Sequence, residues 1–145
     1  MELTQHDVDH NEYARSCQPE LMAAAREALA AAYCPYSNFA VGAALLAADG
    51  TIYRGCNVEN ASYGLTSCAE RNAIFAAVAD GNIDFVAVAV ATNAKDAARP
   101  CGACRQVIAE FSQADNPIII MSAGSDGAVV CENINDLLPA TFTLI

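Results

Sequence analysis

Residues 84–92 read Asp-Phe-Val-Ala-Val-Ala-Val-Ala-Thr, an unbroken run of β-branched and small apolar side chains. A strand with one wet face alternates apolar and polar positions. This run does not alternate, so it is expected in the interior of a sheet with both faces covered. A chain that holds such a strand must supply helices on either side of it, and the flanking sequence does. After Pro19-Glu20, Leu21, Ala25, Ala28, Leu29 and Ala32 recur on one helical face, and Pro35 ends the pattern. Residues 40–48 and 51–57 read as strands joined at Asp49-Gly50, a strong hairpin signal. Residues 68–80 and 101–112 read as helices, the first stopped by Gly81-Asn82, the second anchored by Val107, Ile108 and Phe111. Residues 117–121 and 127–131 supply two more strands, and Asn133 caps a short last helix that Pro139 ends. A hairpin pairs its strands antiparallel, whereas helical crossovers pair them parallel. The expected architecture is therefore α/β, three layers (α/β/α) with a mixed five-stranded sheet.

The length of 145 residues suits one domain. Residues 1–18 are polar and acidic and read as a loose leader, with the domain over 19–145. His6 and His10 stand at helical spacing in that leader, but no neighbouring ligand completes a metal site, and a solvated tail is expected. Hydrophobic residues at 54% against 17% charged exclude an intrinsically disordered chain. The net charge is −10, Lys95 is the one lysine, and basic residues form no cluster, which argues against a polynucleotide partner. Polar or charged residues interrupt each apolar run before it could span a bilayer, so no membrane partner is expected. The N-terminus lacks the basic and apolar regions of a signal peptide, so a cytoplasmic location is expected. Seven cysteines in such a chain point to free thiols or a metal site, not to a disulfide framework.

Two segments concentrate the chemistry: Ser67-Cys68-Ala69-Glu70-Arg71 and Pro100-Cys101-Gly102-Ala103-Cys104-Arg105-Gln106. Both open expected helices, where free backbone N–H groups and the positive end of the macrodipole favour thiolates. Cys101 and Cys104, three apart, share a helical face. Taken alone, a Cys-x-x-Cys pair is equally a redox pair or half of a structural zinc site. With Cys68 as a third thiolate, a tetrahedral zinc keeps one open position, the mark of a catalytic site. Glu70 lies too close along the chain to Cys68 to be an obvious fourth ligand, yet it can face a water there. Zinc deaminases carry this pattern: His or Cys, one residue, Glu, and later Pro-Cys-x-x-Cys, with the Glu not a ligand.

The likeness extends further. Residues 33–46, 55–71 and 100–107, with Leu137-Leu138-Pro139 and Phe142, resemble the small homotetrameric cytidine deaminases over about residues 20–142. The resemblance implies a hydrolase of cyclic amidine C–N bonds. It would convert free cytidine and 2′-deoxycytidine to uridine and 2′-deoxyuridine with release of ammonia, in pyrimidine salvage. It implies one Zn²⁺ per subunit held by Cys68, Cys101 and Cys104, with Arg71 donating hydrogen bonds to ligand sulfurs. Glu70 would be the proton shuttle, taking a proton from water and giving it to cytosine N3 while oxygen adds at C4. Phe39, Asn57, Val58, Glu59, Ala69, Tyr63 and Phe142 would contact substrate: Phe39 by stacking, Ala69 through its N–H, Asn57 and Glu59 at the ribose 3′-hydroxyl. Tyr63 and Phe142 would reach a neighbouring subunit's site in a homotetramer. A carboxylate beside the sugar disfavours phosphorylated substrates, which points to a free nucleoside. Cys17, Cys34, Cys56 and Cys131 receive no role: Cys34 and Cys56 are expected to be buried reduced thiols, and Cys17, in the leader, to be exposed and oxidation-prone.

The sequence departs from the family pattern at Arg99, where a serine usually precedes the proline, and after Phe142, which lacks a following glycine. One rival reading is a deaminase of a blasticidin-type nucleoside antibiotic; Asn57-Val58-Glu59-Asn60-Ala61 favours cytidine over it. The other is a non-catalytic zinc-binding module, which needs a fourth protein ligand and leaves Glu70 without a purpose.

Overall fold

A computed structural model describes residues 8–145. Helix α1 (His10–Leu29) precedes the hairpin β1 (Val41–Ala47) and β2 (Ile52–Cys56). A single 3₁₀ turn (Tyr63–Leu65), α2 (Ala69–Ala79), β3 (Phe85–Thr92), α3 (Gly102–Glu110), β4 (Ile119–Ala123), β5 (Val129–Asn133) and α4 (Ile134–Leu137) follow. The sheet has five strands in the order β2-β1-β3-β4-β5. β3 pairs parallel with β4 and antiparallel with β1; the other neighbours are antiparallel. The mixed sheet matches the sequence reading, and β3, buried at every position, is its central strand.

The two faces of β3 carry different side chains for a packing reason. Ala87, Ala89 and Ala91 join the core beneath α1, with Leu21, Met22 and Ala25 of that helix. Val88 and Val90 join the opposite core, with Ala73, Ile74 and Ala77 of α2, Ile108 of α3 and Ile134 of α4. Small residues let α1 lie close to the sheet: a Cβ at Gly42 would overlap the Ala25 carbonyl oxygen and the Leu29 nitrogen. Gly55 does the same for α2, since a Cβ there would overlap the Ala69 carbonyl oxygen and the Ala73 nitrogen. The start of α2, which carries Cys68 and Glu70, is thereby seated directly on the end of β2.

The helix start at Pro19 is corrected. α1 begins nine residues earlier, capped by Asp9, whose Oδ1 accepts from the Glu12 N–H at 3.0 Å, and it continues through Pro19. Burial explains the extension. His10 and Ala14 are fully buried, Tyr13 and Cys17 pack against the core, and His10 Nδ1 lies 3.1 Å from the Pro117 carbonyl. Tertiary packing outweighs the backbone hydrogen bond that a proline cannot make. Residues 10–18 are therefore helix, not loose chain; His6 lies outside the described residues. Among the described residues, no helix is long and apolar enough to cross a membrane.

Candidate active site

Cys68 and Cys101 are the N-cap residues of α2 and α3, and neither side chain makes the usual capping bond. Their sulfurs turn instead toward each other, 3.7 Å apart, and Cys104 from the first turn of α3 completes a cluster whose sulfurs all lie within 4.8 Å. Zinc bonded tetrahedrally at about 2.3 Å to sulfur needs ligands roughly 3.8 Å apart, so the thiols fit the ion with little adjustment. The Arg71 guanidinium donates from Nη2 to Cys68 Sγ at 3.3 Å, while its buried Nε has no hydrogen-bond partner. Hydrogen bonding from Cys104, with Arg71 and Cys101 adding to it, brings the Cys68 thiol down to about 5. The same contact, with burial, pushes Cys104 up. Two helix N-termini and a guanidinium thus surround three sulfurs, a setting that stabilises negative charge and suits thiolate ligation of zinc.

Glu70, at the second position of α2, is buried. Burial raises its carboxyl above the ordinary range, and the nearby Cys68 adds to that. Glu70 lines one cavity together with Cys68, Ala69 and Cys101 at one end and Phe39, Val41 and Asn57 at the other. Val90 and Thr92 of β3 also line the cavity. Such a cavity brings together a raised-pKa carboxylate, a metal-ready thiol cluster and an aromatic face.

The polar end departs from the sequence reading in a specific way. Asn57 donates from Nδ2 to the Phe39 carbonyl at 2.8 Å and accepts at Oδ1 from the Val41 N–H at 2.9 Å. Glu59 Oε1 accepts from the Tyr36 and Ser37 N–H groups, and Oε2 accepts from the Ser37 hydroxyl at 2.5 Å. Those hydrogen bonds hold the Glu59 carboxyl below its usual range. Both side chains therefore brace the loop that leads into β1, each with lone pairs or an N–H left over. Val58 is joined through its backbone to Ser67, and its side chain is exposed. Tyr63 lies beside Glu59 in a neighbouring groove; its ring is 81% exposed and that of Phe142 68% exposed. Gln106 Nε2 donates to the Phe142 carbonyl at 3.2 Å, which ties the C-terminal segment to α3.

Arg99 lines the cavity, and its charge is paired with an acid on the edge strand. Its Nε donates to Glu132 Oε1 on β5 at 2.6 Å. Sequence reasoning missed three contributors. Arg105 holds the Pro100 and Leu137 carbonyls at 2.8 Å each, so it fixes the segment before Cys101. Ser37 links Glu59 to the Phe39 N–H. Asn93 holds Asn38 and Ala40. Asn93 reaches backbone more than fifty residues earlier, Ser37 joins a side chain 22 residues away, and Arg105 holds the Leu137 carbonyl 32 residues on, links that no local spacing reveals. The seven cysteines are all free thiols.

Residues 15–121 match the family model described as the cytidine and deoxycytidylate deaminase zinc-binding region. The chain is 48% identical to a cytidine deaminase of Sporosarcina psychrophila over 124 residues, covering 86% of this chain and 90% of that protein. It is similar to the crystal structure of cytidine deaminase from Burkholderia pseudomallei with a TM-score of 0.80 and 46% identity, covering 86% of this chain and 98% of that one. The Mycobacterium tuberculosis cytidine deaminase structure gives a TM-score of 0.75 at 40% identity, over 88% and 98% of the two chains. Thiol cluster, buried glutamate and extended likeness agree, and the chain belongs to the cytidine and deoxycytidylate deaminase zinc-binding family.

Proposed function

We propose that this protein hydrolyses free cytidine and 2′-deoxycytidine to uridine and 2′-deoxyuridine, releasing ammonia. The observation that carries the reading is a cavity lined by buried Glu70 with Cys68 and Cys101, two members of a three-thiol cluster built on two helix N-termini. Zinc, held by Cys68, Cys101 and Cys104, supplies Lewis acidity that eases deprotonation of water near neutral pH. Arg71 offsets the charge of the ligand sulfurs. Glu70 receives the proton from water and delivers it to cytosine N3 as oxygen adds to C4. It then takes the remaining proton from the oxygen now on C4 and passes it to the amino group; the C4–N4 bond breaks, the C4 carbonyl forms, and ammonia leaves. A carboxyl raised by burial suits a group that must both take and give protons.

The base would stack on Phe39, with the Ala69 N–H donating to its carbonyl. The ribose would reach the remaining hydrogen-bonding capacity of Asn57 and Glu59, beside Val58. The exposed rings of Tyr63 and Phe142 support a homotetramer in which neighbours complete each site. A fully active isolated subunit would refute that arrangement. Reduced thiols as ligands suit the cytoplasm, where salvage of free nucleosides would be the enzyme's use.

The test is ammonia release from cytidine, 2′-deoxycytidine, cytosine, cytidine monophosphate, adenosine and blasticidin S. Release from the first two alone is expected. Release from blasticidin S or the monophosphate without cytidine would overturn the substrate assignment.

A further inference from the structure

We propose that Asn93 is a positioning residue for substrate binding: its side-chain amide fixes the loop that presents Phe39 to the cavity. The inference rests on the reading of that cavity as the nucleoside site. Asn93 is the first residue after β3, and Asn57 is the first after β2. These strands flank β1, and the two asparagines reach the chain just before it from opposite sides. Asn93 donates from Nδ2 to the Asn38 carbonyl at 2.9 Å and accepts at Oδ1 from the Ala40 N–H at 3.1 Å. Asn57 makes the same pair of bonds one residue further on, to the Phe39 carbonyl and the Val41 N–H. The Ser37 hydroxyl accepts from the Phe39 N–H at 3.0 Å.

The two amides thus extend the sheet's hydrogen bonding past the strand ends and grip Phe39 between them. The grip answers a conformational need. Asn38 adopts φ 57, the left-handed region that most side chains avoid, and this turns the chain so that residue 39 enters the cavity wall. A loop that must hold such a turn without partners populates other conformations, and each costs substrate affinity in proportion to its population. Asn93 is exposed and has no part in the thiol cluster. Its effect is therefore confined to binding.

The experiment uses full-length, zinc-loaded protein and measures KM and kcat for cytidine in Asn93→Ala and Asn93→Asp. The alanine variant loses both bonds, and its KM should rise about three- to tenfold. Its kcat should stay within about twofold of wild type, with unchanged zinc content, because the thiols and Glu70 are untouched. The aspartate variant keeps the acceptor for Ala40 but sets a carboxylate oxygen against the Asn38 carbonyl in place of the N–H donor, so the same constant should rise as well. If the alanine variant does not fold, the aspartate variant alone decides. An unchanged KM, or a loss confined to kcat, overturns the proposal. Wild-type protein inert toward every nucleoside overturns both this inference and the function it rests on. Active wild type with unaltered KM in the variants overturns the inference alone.

Discussion

The two ends of the cavity are built on opposite principles. At the sulfur end, the functional side chains are themselves the structure of the helix starts: Cys68 and Cys101 occupy cap positions, and Cys104, Glu70 and Arg71 sit within a turn of them. At the loop end, Phe39 lines the cavity from a loop braced by side-chain hydrogen bonds of Asn57, Glu59, Ser37 and Asn93. The first kind of site is built on two helix starts and is partly buried. The second depends on hydrogen bonds at the surface, each with a modest net effect. Damage at the sulfur end should therefore be severe and fall on turnover, whereas damage at the loop end should be graded and fall on affinity.

The contrast breaks first, if it breaks, at Cys104. Cys104→Ala removes a buried thiol of the proposed zinc site, and zinc affinity should fall by more than about a hundredfold, taking activity to background. Metal content after dialysis, measured beside ammonia release, checks this; a variant that keeps both zinc and turnover would show that Cys104 is not a ligand. Next in size is Glu70→Gln. Its volume is conserved and no sulfur changes, so zinc should stay at the wild-type level. Loss of the proposed proton shuttle should lower kcat by about 10²–10⁴ with little change in KM. A fall in KM-dependent binding with kcat preserved would place Glu70 on the wrong side of the comparison.

The same contrast explains what could be read from the chain beforehand. The sheet was legible because β3 carries its own evidence in Phe85–Thr92, and Asp49-Gly50 marks the hairpin. The thiol cluster was legible because cysteine spacing, a preceding proline and a helix start are local properties. The start of α1 was not, because Pro19 looks like a boundary until the burial of His10 and Ala14 is known. Nor was the work of Asn93, whose partners stand more than fifty residues earlier. Asn57 and Glu59 were noticed through the family resemblance, but their bonds to the loop backbone emerge only in three dimensions. Local chemistry is visible in sequence; a brace is defined by what it reaches.

Glu59 offers the smallest and most selective test of the loop end. Its carboxylate is held below the usual range chiefly by the Ser37 hydroxyl, with the Tyr36 and Ser37 N–H groups contributing. A carboxyl whose folded pKa lies below its unfolded one adds stability above the unfolded value, and that addition is lost as pH falls through the folded value. Glu59→Gln removes the charge at every pH. The wild type should therefore melt higher than the variant at about pH 7, and the gap should narrow toward about pH 4, as the unfolded carboxyl nears its own titration. The effect is small because the carboxylate is open to solvent and its bonds compete with water. Zinc content at pH 7 should be the same in both proteins, since no sulfur is disturbed. A melting difference that stays constant with pH would mean that the braces on Phe39 owe nothing to the charge of Glu59, and the loop would then be held by the asparagine amides and Ser37 alone.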